Sequence, residues 1–242
     1  MTPTEFGYQF DILYNNMTSN TAPPLNNYEK SVFLTIAQEE IVREYFSSIT
    51  AGGKTLYDSD ELRRGDMSTL IQRKTVTINS AQINFTTKLE NSITQITISN
   101  FDPLMVLDEI VLFTKTVGGT TYSAYKAVIP LSSKDLVRIS SKEHSLPPRN
   151  QAWKIPISPN SFELIVDPKT MDGYTIKELK IRYVDRPTPI IIAESGASGI
   201  TIGGESATTN QECCLPSSMH YGILLRAVEL AKKAYTGTIT EN

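Results

Sequence analysis

With 242 residues, 40% of them hydrophobic and 20% charged, the chain can bury a substantial core as one irregular domain or two small ones. Its net charge of −3 argues against a general nucleic-acid binder, which would normally carry a basic patch or stripe. No apolar run has the length of a membrane span, and the N-terminus lacks the basic and apolar regions of a secretory signal, so export by that route is not expected. The two cysteines, Cys213 and Cys214, are adjacent and make neither a disulfide framework nor a metal cage by themselves. That usage implies folding in a reducing compartment without a covalent staple.

Taken from the N-terminus, Thr4 is placed to cap a first helix with Phe6, Phe10, Leu13, Tyr14 and Met17 at helical spacing. Pro23-Pro24 breaks it. Asn26 or Asn27 then caps a longer helix running through Phe46, ended by Ala51-Gly52-Gly53. This second helix carries two apolar arcs. Phe33, Leu34, Ala37, Ile41 and Tyr45 form one, and Tyr28, Val32, Ile36, Val42 and Phe46 the other, with Glu29, Ser31, Gln38 and Glu40 in the seams. A surface helix ordinarily has one stripe, so two predict packing on both sides, either inside the subunit or with one face against a neighbour. A third helix is expected from Ser59 to Gln72, capped by Ser59 or Asp60, with Leu62, Met67, Leu70 and Ile71 apolar. Gly65 weakens it by roughly 1 kcal/mol relative to alanine.

The middle of the chain reads as β structure. Thr75–Ile78 and Ile93–Ile98 are β-branched runs, and Glu109–Lys115 with Thr120–Val128 flank a hairpin turn at Val117-Gly118-Gly119. A helical turn over Ser132–Ser141 and a proline-rich crossing over Leu146–Pro159 lead to strands Phe162–Val166 and Thr175–Val184, joined at Asp172-Gly173. Short strands of this kind suggest a small sandwich or barrel-like sheet. Glu194–Asn210 is rich in Gly, Ser, Thr and Ala, with only Ile200 and Ile202 strongly apolar, and reads as a loose loop or as an arm that orders against another chain. The last helix, Ser217–Tyr235, is apolar over most of its circumference. It has a narrow polar stripe of Arg226, Glu229 and Lys233 and ends at Gly237.

These elements predict an α+β chain in which a helical bundle from both chain ends carries an inserted small antiparallel β-sandwich or barrel-like domain. The expected divisions are N-terminal helices over 1–73, the β-rich domain over 74–192, an extended arm or loop over 193–214 and a completing helix over 215–242.

The motifs that would carry chemistry fail on inspection. Ala51-Gly52-Gly53-Lys54-Thr55 ends like a phosphate-binding loop, but Ser48 stands where its first glycine is needed, and a helix precedes it where a strand should. Gly203-Gly204-Glu205-Ser206 lacks the pattern of a nucleophile elbow. His144 and His220 have no metal-ligand neighbour at helical spacing and read as structural histidines. Cys213-Cys214 precedes the last helix, whose dipole could lower a thiol pKa, yet no base lies nearby in sequence. No catalytic, cofactor-binding or metal-ligating residue is assigned, no cofactor is expected, and no enzyme signal survives.

Four stretches carry a resemblance. They are Asn27–Val42, Pro147-Pro148-Arg149-Asn150-Gln151-Ala152-Trp153, Ile181–Ile190, and Leu215-Pro216 leading into Arg226-Ala227-Val228-Glu229-Leu230-Ala231. In this order the chain resembles head-to-tail connector (ring or adaptor) proteins of crAss-like and related short-tailed phages, and is similar to podovirus tail-tube adaptors, which also put a β domain into a helical bundle. The resemblance implies a virion protein assembled in the host cytoplasm, a ring of roughly twelve identical subunits. It would dock under the portal, contact other connector or tail ring proteins, and pass DNA through its lumen without specific binding. The bifacial second helix and the 194–210 arm are then the candidate contact segments. A tail or baseplate component elsewhere in the virion stays open. So does a carbohydrate- or receptor-binding β module using Trp153, Tyr122, Tyr125 and Tyr174.

Overall fold

The computed structural model describes residues 1–17, 23–47, 55–78, 93–99, 101–132, 147–158, 161–167, 174–194 and 196–236. The chain divides into two compact units, Met1–Leu70 with Arg186–Asn242, and Ile71–Asp185. The first, helical unit contains α1 (Pro3–Met17), α2 (Asn27–Ser47), the short α3 (Leu56–Ser59) and α4 (Glu61–Met67), and α5 (Ser217–Thr236). The glycine turn at 51–54, residues 133–146 with His144, Asp172-Gly173 and Gly237 lie outside the described residues.

Local chemistry sets the helix starts. Thr2, not Thr4, caps α1: its hydroxyl accepts from Glu5 N at 3.3 Å while the Glu5 carboxylate accepts from Thr2 N at 2.8 Å. Pro3 sits at the first helical position, where a missing N–H costs nothing. Asn26 and Glu29 repeat the reciprocal arrangement at α2, with distances of 2.7 and 2.9 Å. Asp60 caps α4, which stops at Met67, so Ile71 and Gln72 fall in the following strand rather than in the expected third helix. α5 packs against both α2 and α1. Phe6, Phe10 and Tyr14 are buried from α1, and Met219, Ile223, Leu224, Ala227, Val228 and Ala231 from α5. Tyr221 and Leu225 are exposed, so α5 is less enclosed than its composition suggested.

The two arcs of α2 resolve into one broad buried face, and the polar seam lies at its centre. Ser31 and Gln38 are wholly buried, together with Leu34, Ala37, Val42 and Phe46. Ser31 and Gln38 face an extended strap, residues 187–194, that runs antiparallel to the helix. Asn27 donates to Ala193 O (3.2 Å) and to the Glu194 carboxylate (2.9 Å). Ser31 Oγ accepts from Ile192 N (2.9 Å), Thr35 donates to Ile190 O (3.5 Å), and Gln38 donates to Thr188 O (3.0 Å). The spacing fits because four helical residues rise about 6 Å and two extended residues span about 6.6 Å. On its other side, Ile191 exchanges both backbone hydrogen bonds with Gln211, at 2.9 and 3.1 Å. The strap's Pro187 and Pro189 are buried and bring no N–H that would need a partner.

The 194–210 stretch folds back on its own subunit as a small hairpin, β8 (Thr201–Ile202) and β9 (Glu205–Ser206). Gly203 and Gly204, at φ 57° and 92°, make its turn. Ile202, Ala197 and Ala207 are buried with Ile191, against Tyr28 and Val32 of α2. Few apolar residues order this stretch because the strap's backbone supplies the rest: Glu194 N donates to Ala207 O, and Ala193 N to Asn210 Oδ1.

The β unit holds one seven-stranded sheet in the order β1-β7-β3-β4-β5-β6-β2. Its strands are β1 (Ile71–Thr77), β2 (Ile93–Thr97), β3 (Met105–Val117), β4 (Thr120–Pro130), β5 (Gln151–Ser158), β6 (Ser161–Ile165) and β7 (Thr175–Val184). Gly118 and Gly119, at φ 56° and 83°, turn β3 into β4. The sheet is antiparallel except for β4 with β5, a correction to the all-antiparallel expectation. A parallel pair needs a long connection, and 20 residues of sequence separate the end of β4 at Pro130 from the start of β5 at Gln151. The expected proline-rich crossing therefore contains a strand. Its Pro156 is tolerated because pairing with β4 has already ended at Lys154.

One face of the sheet builds the core, including Val111, Phe113, Val128, Ala152, Phe162, Leu164, Leu179 and Ile181. Ile78, beyond edge strand β1, and Ile96, in edge strand β2, join the same cluster, so the sheet curls. Lys74 of β1 donates to Ser99 O (3.4 Å) and lies 5.1 Å from the Phe101 ring centroid, drawing the β1 edge toward residues that follow β2. The described strands form a single curled sheet, not two stacked ones. Inside the curl Glu109 is 7% exposed and bound by Lys154 at 2.7 and 2.9 Å, with the Lys154 ammonium also 4.3 Å from the Phe162 ring.

Ser31→Ala should lower unfolding free energy by about 1–3 kcal/mol, since it strips the acceptor from a buried Ile192 N–H. An unchanged urea midpoint would show that the strap is not held there. Glu109→Ala should cost about 3 kcal/mol, the low end for breaking a buried pair, because Lys154 retains some contact with water. Adding Lys154→Met should recover most of that loss.

Candidate functional site

Among the described residues no group of three or more His, Cys, Asp or Glu side chains is arranged to hold a metal ion. No described helix is long and apolar enough to cross a membrane. The side chains best suited to chemistry are occupied structurally. His220 is buried on α5, bonds Leu215 O at 2.9 Å through Nε2, and packs 5.4 Å from the Phe6 ring. Thr55, the last residue of the phosphate-loop look-alike, caps α3. Ser206 sits in the β8–β9 hairpin and bonds Thr208 at 2.8 Å.

Cys213 also departs from the chemical reading. Its thiol donates to Gln38 Oε1 at 3.6 Å, and burial pushes its pKa up to about 11, against the lowering expected from a helix dipole. Desolvation of the thiolate outweighs the favourable backbone contact from Leu215.

What the molecule offers instead is surface. In the helical unit, an open apolar groove of about 320 Å³ lies between the ends of α1, α2 and α5, lined by Tyr14, Leu25, Tyr28, Val32, Phe33 and Tyr235. Tyr8 and Ile12, one turn apart on α1, are 70% and 58% exposed. Ile36 is the residue of the second α2 arc that remains exposed. A charged corner joins α2 to α5, where Arg226 binds Glu40 (2.8 Å) and Glu229 (3.0 Å), and Lys233 binds Glu229 (2.7 Å). The carboxylate of Glu229 is correspondingly held below its usual range, by Lys233 first and Arg226 second.

In the β unit, the outer face of the sheet exposes Ile110, Tyr125 and Ile129, and beside them lies an open groove of about 430 Å³ whose cationic side chains are Arg73, Lys180 and Arg182. Of the aromatic residues considered for glycan binding, Tyr122 is 52% exposed, and the other three have neighbours within the unit. Lys180 lies over Tyr125 at 5.4 Å and Lys115 over Tyr174 at 5.8 Å. Trp153 packs against a small cluster of Ile155 and Ile165. Sequence reasoning placed Ser31 and Gln38 in the seams of α2 but missed the strap they bind, and it missed the cationic groove. The second could have been found from the i, i+2 spacing of Lys180 and Arg182 within a strand, but not its partner Arg73 from another strand.

The chain's likeness to known proteins extends over its whole length. The sequence model of a family described as "Phage tail ring protein 3/4" matches residues 1–242. The chain is 40% identical over 247 positions to "Ring protein 4/5" of Bacteroides phage crAss001, covering 99% of this chain and 95% of that one. It is 29% identical over 232 positions to "Ring protein 3" of the same phage, covering 96% and 95% of the two chains.

Alkylation of Cys213 gives a check on its environment. In a Cys214→Ser variant at pH 8 the folded chain should react on the order of a hundredfold more slowly than the unfolded one, since only the thiolate attacks. Equal rates would place the thiol in water.

Proposed function

This chain belongs to the phage tail ring protein 3/4 family, and we propose that it is the subunit of a connector ring that docks under the portal and joins capsid to tail. The observation that carries this reading is that the family match spans both units, so neither the helical unit nor the β unit is an accessory to the ring fold. On this reading a helical bundle with an inserted barrel-like β module repeats about an axis, roughly twelve copies closing a homo-oligomer around a DNA channel. The protein resides in the virion, is assembled in the host cytoplasm, and has no catalytic role.

Physical features support it. A head-to-tail ring requires two different, mutually complementary surfaces on one subunit. Exposed apolar side chains occur at separate places, on α1 (Tyr8, Ile12), on α5 (Tyr221, Leu225) and on the outer sheet face (Ile110, Ile129). A net charge of −3 suits a wall past which a polyanion must slide, because like charge discourages tight binding. Neighbouring partners are the portal and the other ring proteins of the stack.

The test is the mass of the purified chain in solution, alone and mixed with the portal of the same virus, with electron micrographs of any large species. A closed ring, formed freely or on the portal, is expected. A chain that stays monomeric and ignores the portal would overturn the connector assignment.

A further inference from the structure

Leu62 is the most exposed of the large apolar side chains among the described residues. It lies on α4 and is 78% exposed, whereas its helix neighbour Met67 is wholly buried. Asp58, Asp60 and Glu61 are exposed on the same α3–α4 corner. Arg63 and the exposed Arg64 share it, with Arg64 donating to Asp58 O at 2.9 Å. Counting Asp66, residues 58–66 hold four acidic and two basic side chains and so keep a negative excess. Asp60 is committed to capping Leu62 N and Asp58 accepts from the Thr55 hydroxyl, so the corner is a fixed apolar tip inside an acidic collar.

The groove on the outer face of the β unit is the inverse surface. Arg73, Arg182 and Asp108 stand in register across β1, β7 and β3, and Thr75, Lys180 and Ile110 form the next row. Asp108 engages Arg182 at 2.6 Å. With Arg73 and Lys180 added, the rim carries excess positive charge, although the chain as a whole is acidic. Ile110, 39% exposed, supplies an apolar floor.

We propose that the Leu62 corner of one copy of this chain seats in the Arg73–Lys180–Arg182 groove of the next, with Leu62 over Ile110 and the acidic collar against the cationic rim. The occupant is a second copy because tip and collar match floor and rim in both polarity and sign of charge. The two surfaces differ, so the contact is heterologous and propagates from subunit to subunit. This rests on the ring reading above and names its subunit interface. Opposite charges at the rim would steer and register the encounter, and the buried leucine would anchor it.

Two charge-reversed variants test it. One carries Arg73→Glu and Lys180→Glu in the groove; the other carries Asp58→Lys and Glu61→Lys in the collar, sparing the Asp60 cap and the Arg182–Asp108 pair. Both should stay folded, the collar variant losing only the exposed Thr55–Asp58 contact and melting at most slightly below the parent. Each alone should fail to form rings, and an equimolar mixture should assemble rings in which the two alternate, since every junction then regains opposite charges. Leu62→Ser should weaken assembly about tenfold or more without altering the melt, and salt near 1 M should weaken the parent ring by screening. Rings from either charge variant alone would overturn the proposal and leave the ring reading standing. Failure of the mixture to assemble would assign the groove to another partner, such as a different ring protein or nucleic acid phosphates, and likewise overturn it. A parent chain that forms no ring, free or on the portal, would remove both.

Discussion

The helical unit depends on burying an extended segment whose backbone has no sheet around it. Ile190, Ile191 and Ile192 are between 0% and 6% exposed, and burying them contributes about 1.5–3 kcal/mol each. Each strap N–H or C=O left without a partner would cost about 1–3 kcal/mol, enough to cancel that gain over a few residues. The solution is a helix with a polar seam. Asn27, Ser31, Thr35 and Gln38 recur once per turn, and the strap's polar groups recur every second residue at nearly the same distance. Gly7 of α1 completes the fit: a Cβ there would come within 3.3 Å of Ile192, so α1 lies close against the strap.

The β unit solves a different problem with charge. A curled seven-stranded sheet must close its concave side, and its edges β1 and β2 share a core without a ladder joining them among the described residues. Long cationic side chains fill the gap. Lys74 reaches a carbonyl and an aromatic ring near the far edge, and Lys154 neutralises buried Glu109 while stacking on Phe162. Lys126 lies within the same interior, where burial lowers its pKa, 5.9 Å from Phe113. Stems of lysine thereby act as apolar filler, with the ammonium groups held by carboxylates, carbonyls and ring faces.

Function follows from what these two solutions leave outside. Polar groups that chemistry would need are consumed in structure: Cys213 and Gln38 bond to each other, and His220 holds Leu215. Among the described residues, apolar side chains and a cationic groove remain exposed on ordered elements. Membership in a tail ring family accords with this allocation.

Much of this was legible in the sequence. Strand β7 spans Thr175–Val184 as read, because alternation over a long β-branched run leaves little choice of period. The Gly118-Gly119 hairpin and α5 were equally plain, since two positive φ angles and an unbroken helical period are local properties. Residues whose roles depend on distant chain were not legible. Ser31 and Gln38 looked like seams at the edge of two apolar arcs because their partners lie more than 100 residues away, in a strap that the sequence reading assigned to the β-rich domain. Leu62 was read only as one of the apolar residues of a third helix, and hydropathy does not say which face of a short helix meets the protein. The 194–210 stretch looked too polar to order, and by itself it is; the backbone of the strap makes the difference. The sequence by itself determined periods, caps and turns, which are set by neighbours within a few residues. Only the tertiary structure decided which polar groups are buried with partners and which apolar ones are left for another chain, because both depend on surfaces built from segments far apart.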